Sequence, residues 1–295
     1  MSGAPNFILI GAMKCATTTL HEHLARQPGI FMAEPKETSF FSDDPIYAQG
    51  VDWYRALFTD RAANTLCGES STHYTKLPTY PHTAQRMREL LDDVKLIYMM
   101  RHPVDRLISH YVHDWSLRVI DDPIDQAIDH HSVLIDYGRY AMQLQPFIEA
   151  YGRERILPVF FERFVSNTEA ELARVCQFIG YDRPVDMGSD VGAVNVSRER
   201  LRESGWRDAI VHNPLLRSLR RTLVPKSIRK WAQGLWQMKK RPELSAASQQ
   251  RVSQVFDEDL ATLGRMLGAE LNCDNFTDVV RSNNLLWTET HSASA

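Results

Sequence analysis

The run Val94-Lys95-Leu96-Ile97-Tyr98-Met99-Met100 is apolar at six of seven positions and stops at Arg101-His102-Pro103. A stretch this short and this apolar has no polar face to offer water. It reads as a strand covered on both sides, the situation of a strand inside a parallel sheet. Proline then suits the first position of a helix, where its missing N–H costs nothing, and Leu107, Ile108 and Tyr111 supply an apolar face. The same grammar appears earlier, where Phe7-Ile8-Leu9-Ile10 halts at Gly11 and a helical pattern starts near Thr17 with Leu20 and Leu24 on one side. A third strand is expected over Arg155 to Phe161, after a helical stretch around Tyr140 to Tyr151.

Strands alternating with helices at this spacing predict an α/β fold with a P-loop-like central parallel β-sheet flanked by helices. In such sheets ligands bind beyond the carboxyl ends of the strands. Gly11 to Thr19 and Arg101 to Ser109 both follow strands at that edge, so the pattern points both at one pocket. The chain has 295 residues, 43% of them hydrophobic and 24% charged, which suits one globular domain. Within it, residues 7–172 read as a nucleotide-binding core and 195–285 as a mainly helical, basic C-terminal part. An amphipathic helix is expected from about Ser245, with Val252, Phe256, Leu260, Leu263 and Leu267 on one stripe and Gly268 as its stop. Residues 288–295 read as a frayed tail.

The formal net charge of −3 hides an uneven distribution. Residues 198–241 carry thirteen Lys/Arg against three Asp/Glu, a balance of +10 set against −13 elsewhere. A basic segment on an acidic body suits an anionic ligand, an acidic glycan or an anionic lipid surface, and equally a set of solvated helix faces. No uninterrupted apolar stretch is long enough to cross a bilayer, and the four cysteines, Cys15, Cys67, Cys176 and Cys273, show no metal-ligand spacing. A reducing, cytoplasmic setting is the expectation, with no nucleic-acid partner.

Chemistry is concentrated in the two loops. Gly11-Ala12-Met13-Lys14-Cys15-Ala16-Thr17-Thr18-Thr19 lies where a strand hands over to a helix, so free N–H groups and the helix dipole favour an anion there. Lys14 adds a charge and the threonines add hydroxyls. The segment lacks the second glycine of the GxxxxGK[ST] nucleotide triphosphatase loop, which argues against a kinase or ATPase. Cys15 reads as a small filler rather than a nucleophile. In the second loop the planar guanidinium of Arg101 and the hydroxyl of Ser109, under two turns into the helix, suit a dianionic phosphate. Arg106 is expected to face solvent or a carboxylate. His110 and His113 have helical i, i+3 spacing but no third ligand, and no metal is expected. Trp53, Tyr54 and Trp115 read as core residues.

Together these loops resemble those of sulfotransferases that use 3′-phosphoadenosine 5′-phosphosulfate (PAPS), in their heparan-sulfate-type and bacterial branch. The resemblance implies that Lys14, Cys15, Ala16, Thr17, Thr18 and Thr19 bind the 5′-phosphosulfate and that Arg101 and Ser109 bind the 3′-phosphate. Ala16 stands where the family has glycine, a position alanine fills easily if the backbone is right-handed. Pro35-Lys36-Glu37-Thr38-Ser39-Phe40-Phe41, Gly50 to Phe58, Gly138-Arg139-Tyr140 and the strand ending at Phe161-Glu162 extend the likeness. It implies Glu37 as catalytic base, Lys14 at the leaving group and Lys36 helping to position Glu37 or an anionic acceptor. Arg198 is a further nucleotide contact by this reading, and the bound nucleotide becomes adenosine 3′,5′-bisphosphate without a metal. Ser70 occupies the place of a family lysine in Glu69-Ser70-Ser71-Thr72-His73-Tyr74, so any second cationic contact comes from elsewhere, with His73 and the basic segment as the candidates.

The activity this implies is sulfuryl transfer to a hydroxyl or amine of an acceptor, a glycan or another small molecule. Two other readings compete with it. A nucleotide-dependent phosphotransferase needs Mg²⁺ and a triphosphate, while a non-catalytic nucleotide-binding module would use the basic segment at a membrane surface. Oligomeric state is not legible in the sequence.

Overall fold

A computed structural model describes residues 3–59, 61–187 and 241–288. Five strands, β1 (Phe7–Gly11), β2 (Ile30–Met32), β3 (Leu66–Ser70), β4 (Lys95–Met100) and β5 (Ile156–Phe160), form one parallel sheet in the order β2-β3-β1-β4-β5. Every residue of β1 is buried, as is every residue of β4 after Lys95, which matches their apolar runs. The three strands expected from the sequence are present. Strands β2 and β3 were not foreseen, because one is only three residues long and the other, Leu66-Cys67-Gly68-Glu69-Ser70, carries polar residues that pair inside the fold.

Helices cover both faces. Helix α1 (Thr17–Ala25) leaves the β1 loop, and α2 (Asp44–Tyr47) and α3 (Val51–Ala56) fill the β2–β3 connection. Helix α4 (Thr83–Leu90) precedes β4, and α5 (Pro103–Ser116) follows it with Pro103 in its first turn, as expected. Next come α6 (Ile124–His130), α7 (Val133–Asp136) and α8 (Tyr140–Tyr151), then α9 (Phe161–Ser166) and α10 (Thr168–Ile179) after β5. Helix α11 (Ala246–Leu267) begins at Ser245, whose hydroxyl caps it, and ends at Gly268 in the left-handed conformation. Helix α12 (Phe276–Ser282) packs beside α9.

The chain steps from β1 outward to β2, returns to β3 beside β1, and then crosses to β4 on the other side. In open α/β sheets such a reversal is where ligands bind, beyond the carboxyl ends of the strands, here β1 and β4. A register shift between Leu9 and Gly11 bulges β1 at its end, and the Thr75 hydroxyl donates to the Ile10 carbonyl at 2.8 Å. Gly11 has φ 151°, and a Cβ there would meet Thr75 Oγ1 at 2.0 Å, so only glycine fits where the first loop begins.

On the β2 side the core is aromatic. Phe40 stacks on Tyr54 with centroids 4.6 Å apart, and Phe41 meets Tyr74 edge-on at 5.6 Å. These fully buried rings anchor the segment 35–41 that carries Glu37. Tyr54 is a core residue, as the sequence suggested.

Candidate active site

The first loop presents the N-terminus of α1 with no acidic residue in its first turn. That leaves the positive end of the helix dipole uncompensated. Lys14 and Ala16 both have left-handed backbones, at φ 70° and 65°. The right-handed conformation that would make alanine harmless at position 16 is therefore not the one adopted. The N–H of Cys15 turns back to the Ala12 carbonyl at 3.3 Å. Its thiol is fully buried, and burial pushes it up to about 12 against the opposing fields of Arg106 and Arg101. A thiol held neutral in this way is a packing group, in line with the sequence reading.

Those two fields place both guanidinium groups near the first loop. A buried hydroxyl makes the connection tangible. Tyr140, at the start of α8, lies 3.9 Å from the Cys15 sulfur, donates to the Arg101 carbonyl at 2.5 Å and accepts from the Arg101 N–H at 3.2 Å. The loop after β1 and the loop after β4 are thus held to one side chain. Asp259 of α11 steadies the start of α8 by accepting from the N–H groups of Ala141 and Met142 at 2.9 and 3.0 Å. Glu162, in the first turn of α9, accepts from the His102 N–H at 2.8 Å.

The Arg101 side chain lies over the Phe161 ring, 4.7 Å from its centroid, and 4.0 Å from Asp105. Its Nε is buried with no hydrogen-bond partner among the described residues. An orphaned guanidinium N–H beside a helix N-terminus fits an anionic group. Ser109 sits two turns along α5, partly exposed. Asp105 also receives Arg241 at 2.5 Å, so the last residue of the basic segment meets this loop. Arg198 and the rest of 198–240 lie outside the described residues. Arg106 departs from expectation: it is fully buried, donates to the Leu134 carbonyl and meets His110 Nδ1 at 3.4 Å. Space explains it, since Gly138 leaves the room a Cβ would fill 3.0 Å from Arg106 Nε.

Glu37 stands on the loop after β2. Its Oε2 accepts from the Thr72 N–H at 2.7 Å and from the Thr72 hydroxyl at 3.2 Å, while Oε1 pairs with Lys36. Burial alone would raise this carboxyl, but the Lys36 charge and the Thr72 donors prevail and hold it below its ordinary 4.5. It is therefore an ionised, oriented carboxylate with 38% of its side chain exposed. The lone pairs that Thr72 and Lys36 leave unused can accept a proton.

Ser70 is wholly buried and binds His21 Nδ1 at 2.9 Å. Position 70 is interior here, and its short hydroxyl supplies no charge. His73 does not supply the missing charge either, because burial lowers its pKa and keeps the imidazole neutral at pH 7. Lys76 is the residue the sequence reading missed. It follows the 3₁₀ turn Thr72–Thr75, is 8% exposed and sits over the Tyr137 ring at 5.7 Å. His110 gives its Nε2 to Asp114 at 3.2 Å, and burial takes the ring down to about 4. Among the described residues no three His, Cys, Asp or Glu side chains cluster as metal ligands do.

With this geometry in place, comparison with known proteins is decisive on family. The sulfotransferase domain matches residues 4–264. The chain belongs to that family. Over 192 residues, 61% of the chain and 47% of the relative, it is 34% identical to heparan sulfate glucosamine 3-O-sulfotransferase 3B1 of Mus musculus. It is 35% identical to the membrane-associated sulfotransferase kil1 of Dictyostelium discoideum over 131 residues, 43% of the chain and 27% of that protein. The chain thus spans less than half the length of these relatives. A sulfotransferase from Alicyclobacillus acidocaldarius shares its fold, with a TM-score of 0.61 at 23% identity, covering 91% of this chain and 97% of the other.

Proposed function

We propose that this sulfotransferase-family chain moves the sulfuryl group of PAPS to a hydroxyl or amine of an acceptor, with a glycan as the acceptor class. The observation that carries the reading is Tyr140, which ties the loops of Lys14 and Arg101 to one hydroxyl and so holds two anion-binding loops at one crevice. The residues fit a nucleotide with two separated anionic ends. Thr17, Thr18, Thr19 and the α1 terminus suit the 5′ end, and the orphaned Nε of Arg101 with the Ser109 hydroxyl suits the 3′-phosphate.

In this reading Glu37 removes the proton of the acceptor hydroxyl as its oxygen attacks sulfur. PAPS supplies the sulfuryl group, and the bond from sulfur to the bridging phosphate oxygen breaks, leaving adenosine 3′,5′-bisphosphate. Lys14 neutralises the charge that grows on that oxygen, and Lys36 keeps Glu37 ionised and aimed. The ammonium of Lys14 and the dipole of α1 act together at the leaving group, so no step calls for a metal. A glycan acceptor is supported by the name of the 3-O-sulfotransferase relative. The cytoplasmic setting stays part of the proposal on cysteine usage, and the whole chain is read as one domain.

The test compares ligands and then chemistry. Adenosine 3′,5′-bisphosphate without metal raises the melting temperature, whereas ATP with Mg²⁺ does not. Glu37→Gln keeps that stabilisation and loses transfer from radiolabelled PAPS by about 10²–10⁴-fold. Stabilisation by Mg-ATP alone would replace the reading with a phosphotransferase.

A further inference from the structure

Lys76 combines three features that the reaction as described leaves unused. It is more than nine-tenths buried, no carboxylate of the described residues makes an ion pair with it, and it stands one 3₁₀ turn from the residue that holds the base. Glu37 and Asp114 act on this ammonium through their fields without pairing with it, so among the described residues it has no anion in direct contact, and a buried ammonium gains most from one that is.

Glu37 is paired with Lys36, while Asp114 accepts a hydrogen bond from a neutral His110 and keeps its charge, which reaches Lys76 as a field rather than as an ion pair. The other ring groups around it carry no charge at neutral pH: burial lowers His73 and takes His110 to about 4. Arg106, fully buried beside His110, adds a second positive charge to the same neighbourhood. The wall is otherwise aromatic, with His73 stacked on Tyr80 at 5.2 Å, His110 stacked on Tyr137 at 5.5 Å, and the Tyr137 hydroxyl 2.5 Å from that of Thr79. Neutral rings beside the Lys76 ammonium, with Arg106 buried behind them, suit a sugar ring bearing an acid.

The turn sets the spacing. Thr72 grips Glu37 at one end of the 3₁₀ segment and Lys76 closes the other, about 8 Å along the axis at roughly 2 Å per residue. His73 and Lys76, three residues apart, share a face of that turn. We propose that Lys76 binds an anionic group of the acceptor beside the hydroxyl presented to Glu37, supplying from position 76 the cation that buried Ser70 does not. The acceptor class is then an acidic glycan, with the carboxylate or sulfate on the residue next to the one that reacts.

This inference rests on the sulfotransferase reading, and the experiment separates the two. The probes are heparan sulfate and its carboxyl-reduced, desulfated counterpart, with PAPS as donor. Removing a contact made equally to bound acceptor and transition state raises KM and spares kcat. Lys76→Met therefore raises KM for heparan sulfate about tenfold or more, shifts KM for the neutral chain less than about twofold, and leaves stabilisation by adenosine 3′,5′-bisphosphate unchanged. Lys76→Arg returns KM to within about threefold of the wild type.

A pH profile adds a readout that a packing role would not move. Burial takes Lys76 down to about 8, against the raising fields of Glu37 and Asp114 and with Arg106 lowering it further. KM for heparan sulfate then climbs as pH passes about 8 in the wild type and stays flat in Lys76→Arg. Equal KM changes for both probes, or a wild type that transfers to the neutral chain as well as to the acidic one, would overturn the proposal. So would transfer to neither probe by a protein that adenosine 3′,5′-bisphosphate stabilises. Absence of that stabilisation instead overturns the sulfotransferase reading beneath it.

Discussion

Tyr140 and Arg101 are joined twice: the phenol donates to the Arg101 carbonyl at 2.5 Å and accepts from its N–H at 3.2 Å. The phenol is fully buried, and the same oxygen lies 3.9 Å from Cys15 in the other anion-binding loop. A single hydroxyl thereby fixes the backbone from which Arg101 and the start of α5 project. Tyr140→Phe keeps the ring and its edge contact with Tyr98 but strands the partly buried N–H and carbonyl of Arg101. Leaving them unsatisfied costs about 1–3 kcal/mol of stability. Because both loops lose their common tether, affinity for adenosine 3′,5′-bisphosphate falls by about tenfold, while KM for the acceptor stays near wild type. Calorimetric titration checks this, and an unchanged dissociation constant would mean that the loops hold their places without the tether.

Ala16 is the residue where loop chemistry and backbone geometry disagree most. It caps α1 at φ 65°, ψ 25°, a conformation that crowds an L-residue's Cβ against the following carbonyl at about 1–2 kcal/mol. Glycine relieves that crowding but gives back about 0.4–1 kcal/mol through the freedom of the unfolded chain. Ala16→Gly is therefore expected to stabilise by roughly 0.5–1 kcal/mol, a rise in melting temperature of about 1–3 °C. A fall in melting temperature on thermal unfolding would show that the methyl group makes packing contacts worth more than the crowding it causes.

Much of this could be read from the residues because the central strands hide nothing. Runs such as Phe7–Ile10 and Val94–Met100 admit one environment, and Pro103 and Gly268 mark a helix start and a helix stop by fixed backbone rules. Strands β2 and β3 escaped because β2 has only three residues and burial of Glu69 and Ser70 in β3 is a tertiary outcome: their partners, Thr38 and His21, lie 31 and 49 residues away. Arg106 misled for the same reason, its interior place depending on the gap at Gly138 and on the Leu134 carbonyl. At the site, Glu37 and the two loops were legible through their motifs. Lys76 and the phenol of Tyr140 were not, since neither sits at a spacing that marks chemistry before the chain is folded.

Glu69 gives the fold a pH dependence of its own. It is fully buried at the end of β3, where Thr38 donates to its Oε2 at 2.8 Å and its Oε1 has no hydrogen-bond partner among the described residues. Burial outweighs the hydroxyl donors and lifts its carboxyl from 4.5 to about 7. The folded chain therefore holds this proton more tightly than the unfolded chain does. The stabilising contribution is complete below the unfolded value near 4.5 and drains away as pH climbs through about 7. Glu69→Gln offers a similar shape without a charge to bury, so it escapes that loss. The melting temperature of the variant minus that of the wild type should grow more positive from pH 5 to pH 8, by the equivalent of about 1–3 kcal/mol. A difference that stays constant or shrinks over that range, measured by thermal unfolding in matched buffers, would mean that Glu69 is already ionised in the native interior and that its neighbours carry the countercharge.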